Sequence, residues 1–334
     1  MDVDPKPNLH GHIVAVVIPA YKCAPQITNT VTTIPDWVQH IVVVDDCSPD
    51  DLASRVEAID DSRVVLIRHK INRGVGGAFI SGCTKAIELG SDVLVKMDGD
   101  GQMDPRQLPN LIQPILNGGA DYTKGNRFWD LSELRSMPRT RILGNMVLSF
   151  LLKLASGYWN LFDPTNGYIT ITAYLFKNIN LKNIDSRYFF EASMLMQAGI
   201  QRFVVEDVPM PAVYGAEISS LSIWHTLLYF PPRLVYGVLR RFIWHYILFD
   251  FTAVSVFVIV GLPALLWGTI FGALTWIHNV QIQRATPTGT IMLSVLPIII
   301  GIQLIAQAIV IDIANTPKKV QTPSHSSDHE TPKS

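Results

Sequence analysis

The sequence predicts an α/β fold with a mostly parallel sheet, followed by amphipathic interfacial helices and two transmembrane helices. Short runs of Val and Ile alternate with helix-like stretches through the first third of the chain, and two long stretches near its end carry no charge. The 334 residues are 48% hydrophobic and 16% charged, whereas a typical soluble domain carries roughly 25% charged residues. A globular domain joined to a membrane region accounts for this composition.

The strands of the predicted sheet are short runs that are apolar throughout. Runs of this kind are typical of parallel strands that helices cover on both faces. In such sheets, binding sites form where the strands end and open onto loops, so the residues after each strand are candidates for function. The strands are predicted at residues 13–18, 41–44, 64–67 and 93–95, and helices at 49–59, 74–89 and 105–116.

An amphipathic segment precedes the uncharged stretches. If residues 233–243 form a helix, its apolar and polar residues fall on opposite faces, which is typical of a helix that lies in the lipid headgroup layer. A soluble amphipathic helix is the weaker alternative because a membrane span adjoins it. The apolar face comprises Leu234, Val235, Val238, Leu239, Phe242 and Ile243, and the polar face comprises Arg233, Gly237, Arg240 and Arg241.

Two stretches are long enough to cross a membrane. Residues 251–276 carry no charge and would form a helix of about 39 Å, which exceeds the ~30 Å hydrocarbon core. Residues 285–311 are also uncharged. Basic residues before the first stretch and after the second predict that both ends are cytoplasmic and that the loop at 278–289 lies outside. Two spans per chain also favour self-association into a homo-oligomer.

The domain boundaries follow from these patterns. The polar residues 1–12 lack the apolar segment of a secretory signal peptide, so we expect the globular domain to stay in the cytoplasm and the protein to be an integral protein of the inner or equivalent membrane. The tail is rich in Pro, Ser, His and Lys, and we expect it to be disordered. The predicted divisions are an extension at 1–12, a globular domain at 13–218, juxtamembrane helices at 219–246, a two-helix membrane region at 247–313 and a cytoplasmic tail at 314–334.

Net charge and cysteine content exclude other classes. The formal net charge of -1 excludes a nucleic-acid-binding protein that works through bulk basicity. The three cysteines form no C-x-x-C pair and are predicted to be reduced thiols.

Polar and acidic residues follow three of the predicted strands. Pro19, Ala20 and Tyr21 follow the first, and Asp45 and Asp46 follow the second. The fourth is followed by Asp98-Gly99-Asp100-Gly101-Gln102, in which two carboxylates and an amide can face one hard cation that also binds a substrate phosphate. The alternative for this motif is an acidic turn. A glycine-rich loop at residues 72–78 lacks the spacing of a phosphate loop, and its glycines favour a tight turn with close packing.

Taken in order, these segments resemble one enzyme family. The set resembles the GT-A glycosyltransferases of family 2, and specifically the branch of dolichol-phosphate mannose synthase and the bacterial polyprenyl-phosphate glycosyltransferases. The resemblance covers roughly residues 13–221, and the membrane region by its layout. It rests on Val17-Ile18-Pro19-Ala20-Tyr21, Val43-Val44-Asp45-Asp46-Cys47-Ser48, Asn72-Arg73-Gly74, Asp98-Gly99-Asp100-Gly101-Gln102, Gly125-Asn126-Arg127-Phe128 and Asp163-Pro164-Thr165-Asn166-Gly167-Tyr168.

The resemblance implies a Rossmann-like GT-A catalytic domain that binds a nucleotide-sugar donor. It implies Mg²⁺ or Mn²⁺ on Asp98, Asp100 and Gln102, where the metal neutralises charge on the leaving nucleoside diphosphate. Family members invert the anomeric centre by direct displacement. The residues implied in the nucleotide-sugar site are Pro19, Ala20, Tyr21, Asp45, Asp46, Asn72, Asp98 and Gly99.

A lipid-phosphate acceptor makes its own demands. It is mostly dianionic at pH 7, since its second pKa is about 6, so it needs cations more than it needs a base. Arg127 is the first candidate to bind the acceptor phosphate, followed by Arg139 and Arg141. For Arg139 and Arg141, a basic surface that faces the membrane is nearly as good an interpretation. Asp163 and Glu191 match family acids. The candidate catalytic residues are Asp163, Arg127 and Asp100. The alternative role for Asp163 is helix capping, and the alternative for Glu191 is an ion pair with a structural arginine.

Two departures from the family pattern stand out. Lys22 and Cys23 replace the usual Asn-Glu after Tyr21, and Ile218 stands where relatives often carry a lysine. The Q/R-x-x-R-W motif of processive synthases is absent, which favours transfer of a single sugar.

The leading hypothesis is a membrane hexosyltransferase that moves one sugar from a UDP- or GDP-hexose to undecaprenyl or dolichyl phosphate on the cytoplasmic face, for cell-envelope glycans. A second hypothesis keeps the donor but uses a glycolipid or lipid-linked glycan hydroxyl as acceptor, which requires a general base. A third is a non-catalytic nucleotide-sugar-binding membrane scaffold.

Overall fold

The computed structural model describes residues 7–126, 139–162, 166–211 and 223–323, with side chains for all of these except 139–145 and 223–228. The chain forms two compact units, the first comprising residues 1–237 and 317–334 and the second residues 238–316. The first unit is built on a seven-stranded sheet. Its strands are β1 (Val14–Ala20), β2 (His40–Asp45), β3 (Val64–Arg68), β4 (Val93–Lys96), β5 (Tyr122–Asn126), β6 (Ile169–Thr172) and β7 (Val205–Pro209).

The sheet has the order β3-β2-β1-β4-β6-β5-β7. Every neighbouring pair is parallel except those that involve β6, which is antiparallel to β4 and β5. Six strands therefore end, and β6 begins, at one edge, which we call the C-terminal edge. The opposite edge is the N-terminal edge. The mostly parallel α/β fold expected from the sequence is confirmed.

Helices cover the sheet because its central strands are apolar on both faces. All seven residues of β1 are buried, and Gly82 lies so close to the sheet that a Cβ there would come within 2.3 Å of the Val17 side chain. The helices of the first unit are α1 (Ala24–Thr32), α2 (Leu52–Glu57), α3 (Gly74–Glu88), α4 (Leu108–Leu116), α5 (Arg139–Ser156), α6 (Ala173–Asn178), α7 (Phe190–Ile200) and α8 (Ile223–Arg241), the last of which crosses into the second unit.

The second unit contains two long apolar helices, α9 (Ala253–Gln281) and α10 (Thr288–Ala314), after a π-helix at Phe242–Phe249. Both are long and apolar enough to cross a membrane, and only 22% and 11% of their most apolar windows are buried, whereas a core helix of a soluble protein would be mostly buried. Gly261 lies against Gly301, and Gly268 against Ser294, so the two helices pack antiparallel through small residues.

Two residues predicted on the polar face of the amphipathic helix are buried instead. A Cβ at Gly237 would come within 2.3 Å of the Met196 sulfur, so this glycine allows close packing. In the second unit, Arg241 donates to both carboxylate oxygens of Asp312, at 3.1 and 2.5 Å. Tyr246 donates to the same carboxylate. Arg241 is buried because Asp312, which follows the uncharged stretch, needs a cation.

The tail also differs from expectation. Residues 317–323 belong to the first unit, and Gln321 and Thr322 form hydrogen bonds with the buried carboxylate of Asp121. The expectation of disorder from residue 314 therefore does not hold through Pro323. Residues 324–334 lie outside the described residues.

We predict that Arg241→Met lowers the stability of the second unit by about 3 kcal/mol, because it leaves the carboxylate of Asp312 buried without a cation. Replacing both partners, with Asp312→Leu added, should recover most of this loss. Thermal unfolding of the full chain in nanodiscs measures both effects, with Arg284→Met in the exposed loop as the control. A double variant no more stable than Arg241→Met would contradict the ion-pair account.

Candidate active site

The C-terminal edge brings together the segments that carry the predicted site residues. β1 lies between β2 and β4, and Ala20 is paired with Asp45 at the ends of β1 and β2. Asp98 follows β4 after one residue, Met97. The acidic and nucleotide-sugar motifs, which are distant in the sequence, therefore leave the sheet from adjacent strands.

A buried lysine holds the first aspartate of the acidic motif. Lys96, the last residue of β4, is 1% exposed, and its Nζ donates to Asp98 Oδ1 at 2.5 Å. The same Nζ lies 3.7 Å from Oε1 of Glu191 in the first turn of α7. It also donates to the carbonyl of Gly167 at 3.4 Å. One ammonium thus joins the acidic motif, the loop before β6 and α7.

The pKa of Lys96 reflects this arrangement. Burial alone lowers the pKa of a lysine, but the carboxylates of Asp98 and Glu191 outweigh burial, and the pKa of Lys96 is raised above its ordinary value. Lys96 is therefore a permanent cation beneath the acidic motif at neutral pH. The structure brings Glu191, one of the sequence-predicted candidates, into this cluster.

The glycines around the cluster are required by close contacts. A Cβ at Gly99 would come within 2.8 Å of the Cys23 sulfur, and one at Gly167 within 2.9 Å of the Lys96 nitrogen. Burial raises the pKa of the Cys23 thiol to about 12. Cys23, which is buried, is therefore a small packing residue against Gly99.

The acidic motif fits a divalent cation by the chemistry of its donors. Asp98 and Asp100 supply carboxylate oxygens, the ligands that Mg²⁺ and Mn²⁺ prefer, and the carboxylate of Asp100 accepts the N–H of Gln102 at 3.0 Å. No three His, Cys, Asp or Glu side chains form a ready-made cluster among the described residues. The protein would thus supply few ligands, as in sites where substrate phosphates and water supply the rest.

The carboxylate of Asp46 is held by the glycine-rich loop and by His69. Its Oδ1 accepts the N–H of Arg73 at 2.8 Å and lies 2.7 Å from Nδ1 of His69, and its Oδ2 accepts the N–H of Gly74 at 2.7 Å. The carboxylate of Asp46 therefore fastens the glycine-rich loop to the end of β2. The amide of Asn72 donates to the Asp46 carbonyl at 3.2 Å.

The glycine-rich loop forms the tight, closely packed turn that its sequence favours. Gly74 has a φ of +77°, and a Cβ there would come within 2.2 Å of the Ser186 carbonyl oxygen. Gly76 donates its N–H to that same carbonyl at 3.0 Å. These glycines let α3 begin directly against the segment that leads into α7.

The loop after β1 is held by the loop after β2. The N–H of Lys22 donates to the Ser48 hydroxyl at 2.8 Å, and the N–H of Ser48 donates to Asp45 Oδ1 at 2.8 Å. The Tyr21 ring is 46% exposed beside the acidic edge. Tyr21 therefore offers a flat surface at the position predicted for the nucleotide base.

Four of the predicted residues are not described in full. Arg127 and Asp163 lie outside the described residues, and Arg139 and Arg141 lie in α5 with side chains outside the description. Their flanks are joined: the Asn166 amide donates to the Gly125 carbonyl at 2.8 Å, and Lys124 Nζ donates to the Asn166 carbonyl. The G-N-R-F motif therefore begins at the end of β5, and the D-P-T-N-G-Y motif ends at the start of the adjacent strand, β6.

Sequence reasoning missed Lys96, Lys124 and His69. Lys96 ends the apolar run V-L-V-K immediately before the acidic motif, and a charge at the end of a buried strand was the available signal. Lys124 lies in a strand too polar to be predicted, and nothing in the sequence links His69 to Asp46.

The chain resembles known proteins in sequence. Residues 15–179 match the family described as Glycosyl transferase family 2. The chain is 30% identical over 217 residues to the UDP-N-acetylglucosamine–dolichyl-phosphate N-acetylglucosaminyltransferase of Methanococcus voltae, covering 60% of this chain and 86% of the relative. It is 31% identical over 205 residues to the undecaprenyl-phosphate mannosyltransferase of Micrococcus luteus, covering 60% and 83%.

A solved structure supports the fold. Glucosyl-3-phosphoglycerate synthase from Mycobacterium tuberculosis, in complex with Mn²⁺, UDP-glucose and phosphoglyceric acid, superposes with a TM-score of 0.52 at 18% identity. The match covers 70% of this chain and 80% of that one. The chain thus has the GT-A fold that the sequence motifs led us to expect.

We predict that Lys96→Met lowers stability at pH 7 by about 2 kcal/mol, because it removes a charged hydrogen bond to Asp98, which is partly exposed, and leaves Glu191 uncompensated. This corresponds to a fall of roughly 4–8 °C in the unfolding midpoint. Since the pKa of Lys96 is raised, its contribution is present at pH 7 and is lost only as the pH rises through that pKa.

Lys85→Met is the matched control. Lys85 pairs with Glu88 on the surface of α3, where such a pair contributes less than about 1 kcal/mol. Equal shifts for the two variants, measured by thermal unfolding of the full chain in detergent, would show that Lys96 has no special role.

Proposed function

Because the chain belongs to glycosyl transferase family 2, we propose that it transfers a single sugar from a UDP- or GDP-hexose to a polyprenyl phosphate at the membrane surface, with inversion at the anomeric carbon. The chain is a glycosyltransferase, and its relatives are named as polyprenyl-phosphate sugar transferases. The proposal concerns the donor, the acceptor and the side of the membrane.

The acidic motif at the C-terminal edge carries the proposal. Asp98 is fixed by Lys96 beside Glu191 and Gly167, and Asp45 and Tyr21 lie on the neighbouring strand ends. This combination of a base-and-ribose surface with a carboxylate pair suits a nucleoside diphosphate-sugar.

Asp98 and Asp100 would hold Mg²⁺ or Mn²⁺, with Gln102 as a further candidate ligand. The ion would supply positive charge against the diphosphate as it leaves. The protein's own residues fix the site before the donor binds: Lys96 holds Asp98 in place, and the loop that Asp46 binds leads into α3. Asn72 is exposed and belongs to the proposed donor surface, whereas Pro19, Ala20 and Gly99, which the sequence also predicted there, are buried in this structure.

The acceptor side follows from charge. A polyprenyl phosphate dianion attacks without a strong base, but it must approach an anionic donor, so cations are needed beside it. Arg127, Arg139 and Arg141 are the proposed cations. The segment that carries Arg127 leaves β5, and α5 carries the other two.

Exposed apolar side chains in α5 and at Phe162 support a lipid acceptor. Met146, Val147 and Phe150 in α5 are 63%, 53% and 46% exposed, and Phe162 is 70% exposed. The three α5 residues have the spacing of one helix face. A contiguous apolar face on an exposed helix suits contact with the bilayer that holds the polyprenyl chain.

We propose that the catalytic domain and both chain ends lie in the cytoplasm, with α9 and α10 as the two spans and self-association through them. The basic residues that flank the spans support this orientation. The assignment of the tail to the same unit as the catalytic domain supports it independently, because a hairpin of two spans returns the chain to the side from which it left.

We predict that Asp100→Ala abolishes transfer without unfolding the protein, because it removes one of the two metal-binding carboxylates. The assay uses full-length protein in detergent with polyprenyl phosphate, Mg²⁺ or Mn²⁺ and a panel of labelled UDP- and GDP-sugars, and measures organic-extractable label. The control is Asp60→Ala at an exposed position. Retained transfer by Asp100→Ala would refute the metal role, and no labelled lipid with any donor would refute the acceptor.

Asp163→Asn distinguishes the phosphate acceptor from a hydroxyl acceptor. We predict less than a roughly tenfold loss of turnover, since a phosphate dianion needs little help from a base, whereas loss of a true general base costs about 10²–10⁴-fold. Rates of the purified variant with polyprenyl phosphate measure the effect, and Asp100→Ala sets the floor. Loss to that floor would favour a hydroxyl acceptor with Asp163 as base.

A further inference from the structure

The N-terminal edge of the sheet, opposite the candidate active site, contains a buried carboxylate that the proposed function does not use. Asp121 immediately precedes β5 and is fully buried. Thr172 ends β6 and Val204 precedes β7, so the three residues meet where adjacent strands begin or end. We call the site formed by Asp121, Thr172 and Val204 the edge slot.

The C-terminal tail supplies most of the hydrogen-bond donors to Asp121. Val204 donates its N–H at 2.9 Å. The N–H groups of Gln321 and Thr322 donate at 3.1 and 2.8 Å, and the Thr322 hydroxyl donates at 2.5 Å. Of these four donor groups three belong to the tail, and none is a cation.

The hydroxyl groups in the edge slot form a directed chain. An ionised carboxylate only accepts, so the Thr322 hydroxyl donates to Asp121 and its oxygen is free to accept from Thr172, 3.0 Å away. The Thr172 oxygen in turn accepts the N–H of Leu175 at 3.1 Å, which caps α6. Every hydroxyl hydrogen in this chain thus has one acceptor, and the geometry specifies a hydroxyl at residue 322.

An apolar contact accompanies these polar ones. Val320 packs against the main hydrophobic core of the first unit. The tail therefore meets the edge slot with an apolar side chain, two backbone N–H groups and one hydroxyl, which is how a short extended peptide is recognised.

We propose that residues 317–323 form a strap whose docking in the edge slot completes the folding of the catalytic domain. Without the strap, Asp121 would keep the Val204 N–H as its donor among these four groups and would depend on water to replace the other three. The strap therefore fastens the chain that follows α10 to the edge slot.

Disulfide trapping in the full chain tests the docking directly. Thr172→Cys with Thr322→Cys, in a Cys47→Ser background that removes the exposed native thiol, should give an intrachain disulfide upon mild oxidation in membranes, detected by mass spectrometry of the linked peptides. The control pair is Lys70→Cys with Thr322→Cys, because Lys70 follows β3 at the opposite edge. Absence of the first disulfide, or equal yield from both pairs, would overturn the proposal.

A second comparison tests the role of the strap at Asp121. Asp121→Asn should lower the unfolding midpoint of the full chain, because the donors in the edge slot lose a carboxylate acceptor. In a chain ending at Thr316 the same substitution should lower the midpoint much less, because the three strap donors are already missing. An equal fall in both backgrounds would mean that the strap does not compensate Asp121.

Thr322→Val keeps the test decisive if the shortened chain does not fold. This nearly isosteric change removes one charged hydrogen bond and should lower the midpoint by at least about 3 °C. Thr84→Val is the control, because the Thr84 hydroxyl donates only to a carbonyl of its own helix. Equal midpoints for the two variants would count against the strap. None of these readouts involves a sugar or a lipid, so they are independent of the proposed function.

Discussion

The acidic edge of the sheet depends on one buried cation. The end of β4 and the first turn of α7 bring Asp98 and Glu191 close together, and such carboxylates repel one another unless a positive charge lies between them. Lys96 provides that charge from the end of β4, within 2.5 Å of one carboxylate and 3.7 Å of the other. The lysine is paired and hydrogen-bonded, so its burial is tolerated, and the carboxylates are held before any ligand arrives.

The parts of the fold that could be predicted are those in which one physical rule acts alone. β1 to β4 were predicted because they are apolar throughout, and the two spans because they are long and uncharged. β5, β6 and β7 were not, since tertiary contacts override local pattern there: Lys124 and Thr123 are fully buried in β5 because Asn166 and Leu111 supply acceptor carbonyls. Arg241 was placed on a polar face for the same reason, since its partner Asp312 is distant in the sequence.

The sequence was enough to predict which motif residues share one edge of the sheet. It was not enough to predict the residues that fix them in place. Motif order was enough to gather Asp45, Asp98 and Tyr21 at one edge, because chain direction in a parallel sheet determines which ends meet. The supporting contacts pair residues that are far apart in the sequence, such as Gly99 with Cys23, or that have no local pattern, such as His69 with Asp46. Asp46 shows the consequence: its carboxylate accepts two loop N–H groups and faces His69, so it positions the loop.

Charge balance at the edge connects these observations with the proposed chemistry. Asp98, Asp100 and Glu191 carry three negative charges and Lys96 one positive charge, so the cluster retains a deficit that one divalent cation would cancel. A diphosphate donor would then restore negative charge, and a phosphate acceptor would add more. The cations proposed for that second stage, Arg127, Arg139 and Arg141, belong to the segment and helix that follow β5. In the proposed reaction, a metal on the acidic motif and arginines on a separate segment would let each anion meet its own positive charge, so that the two anions would not compete for one cation.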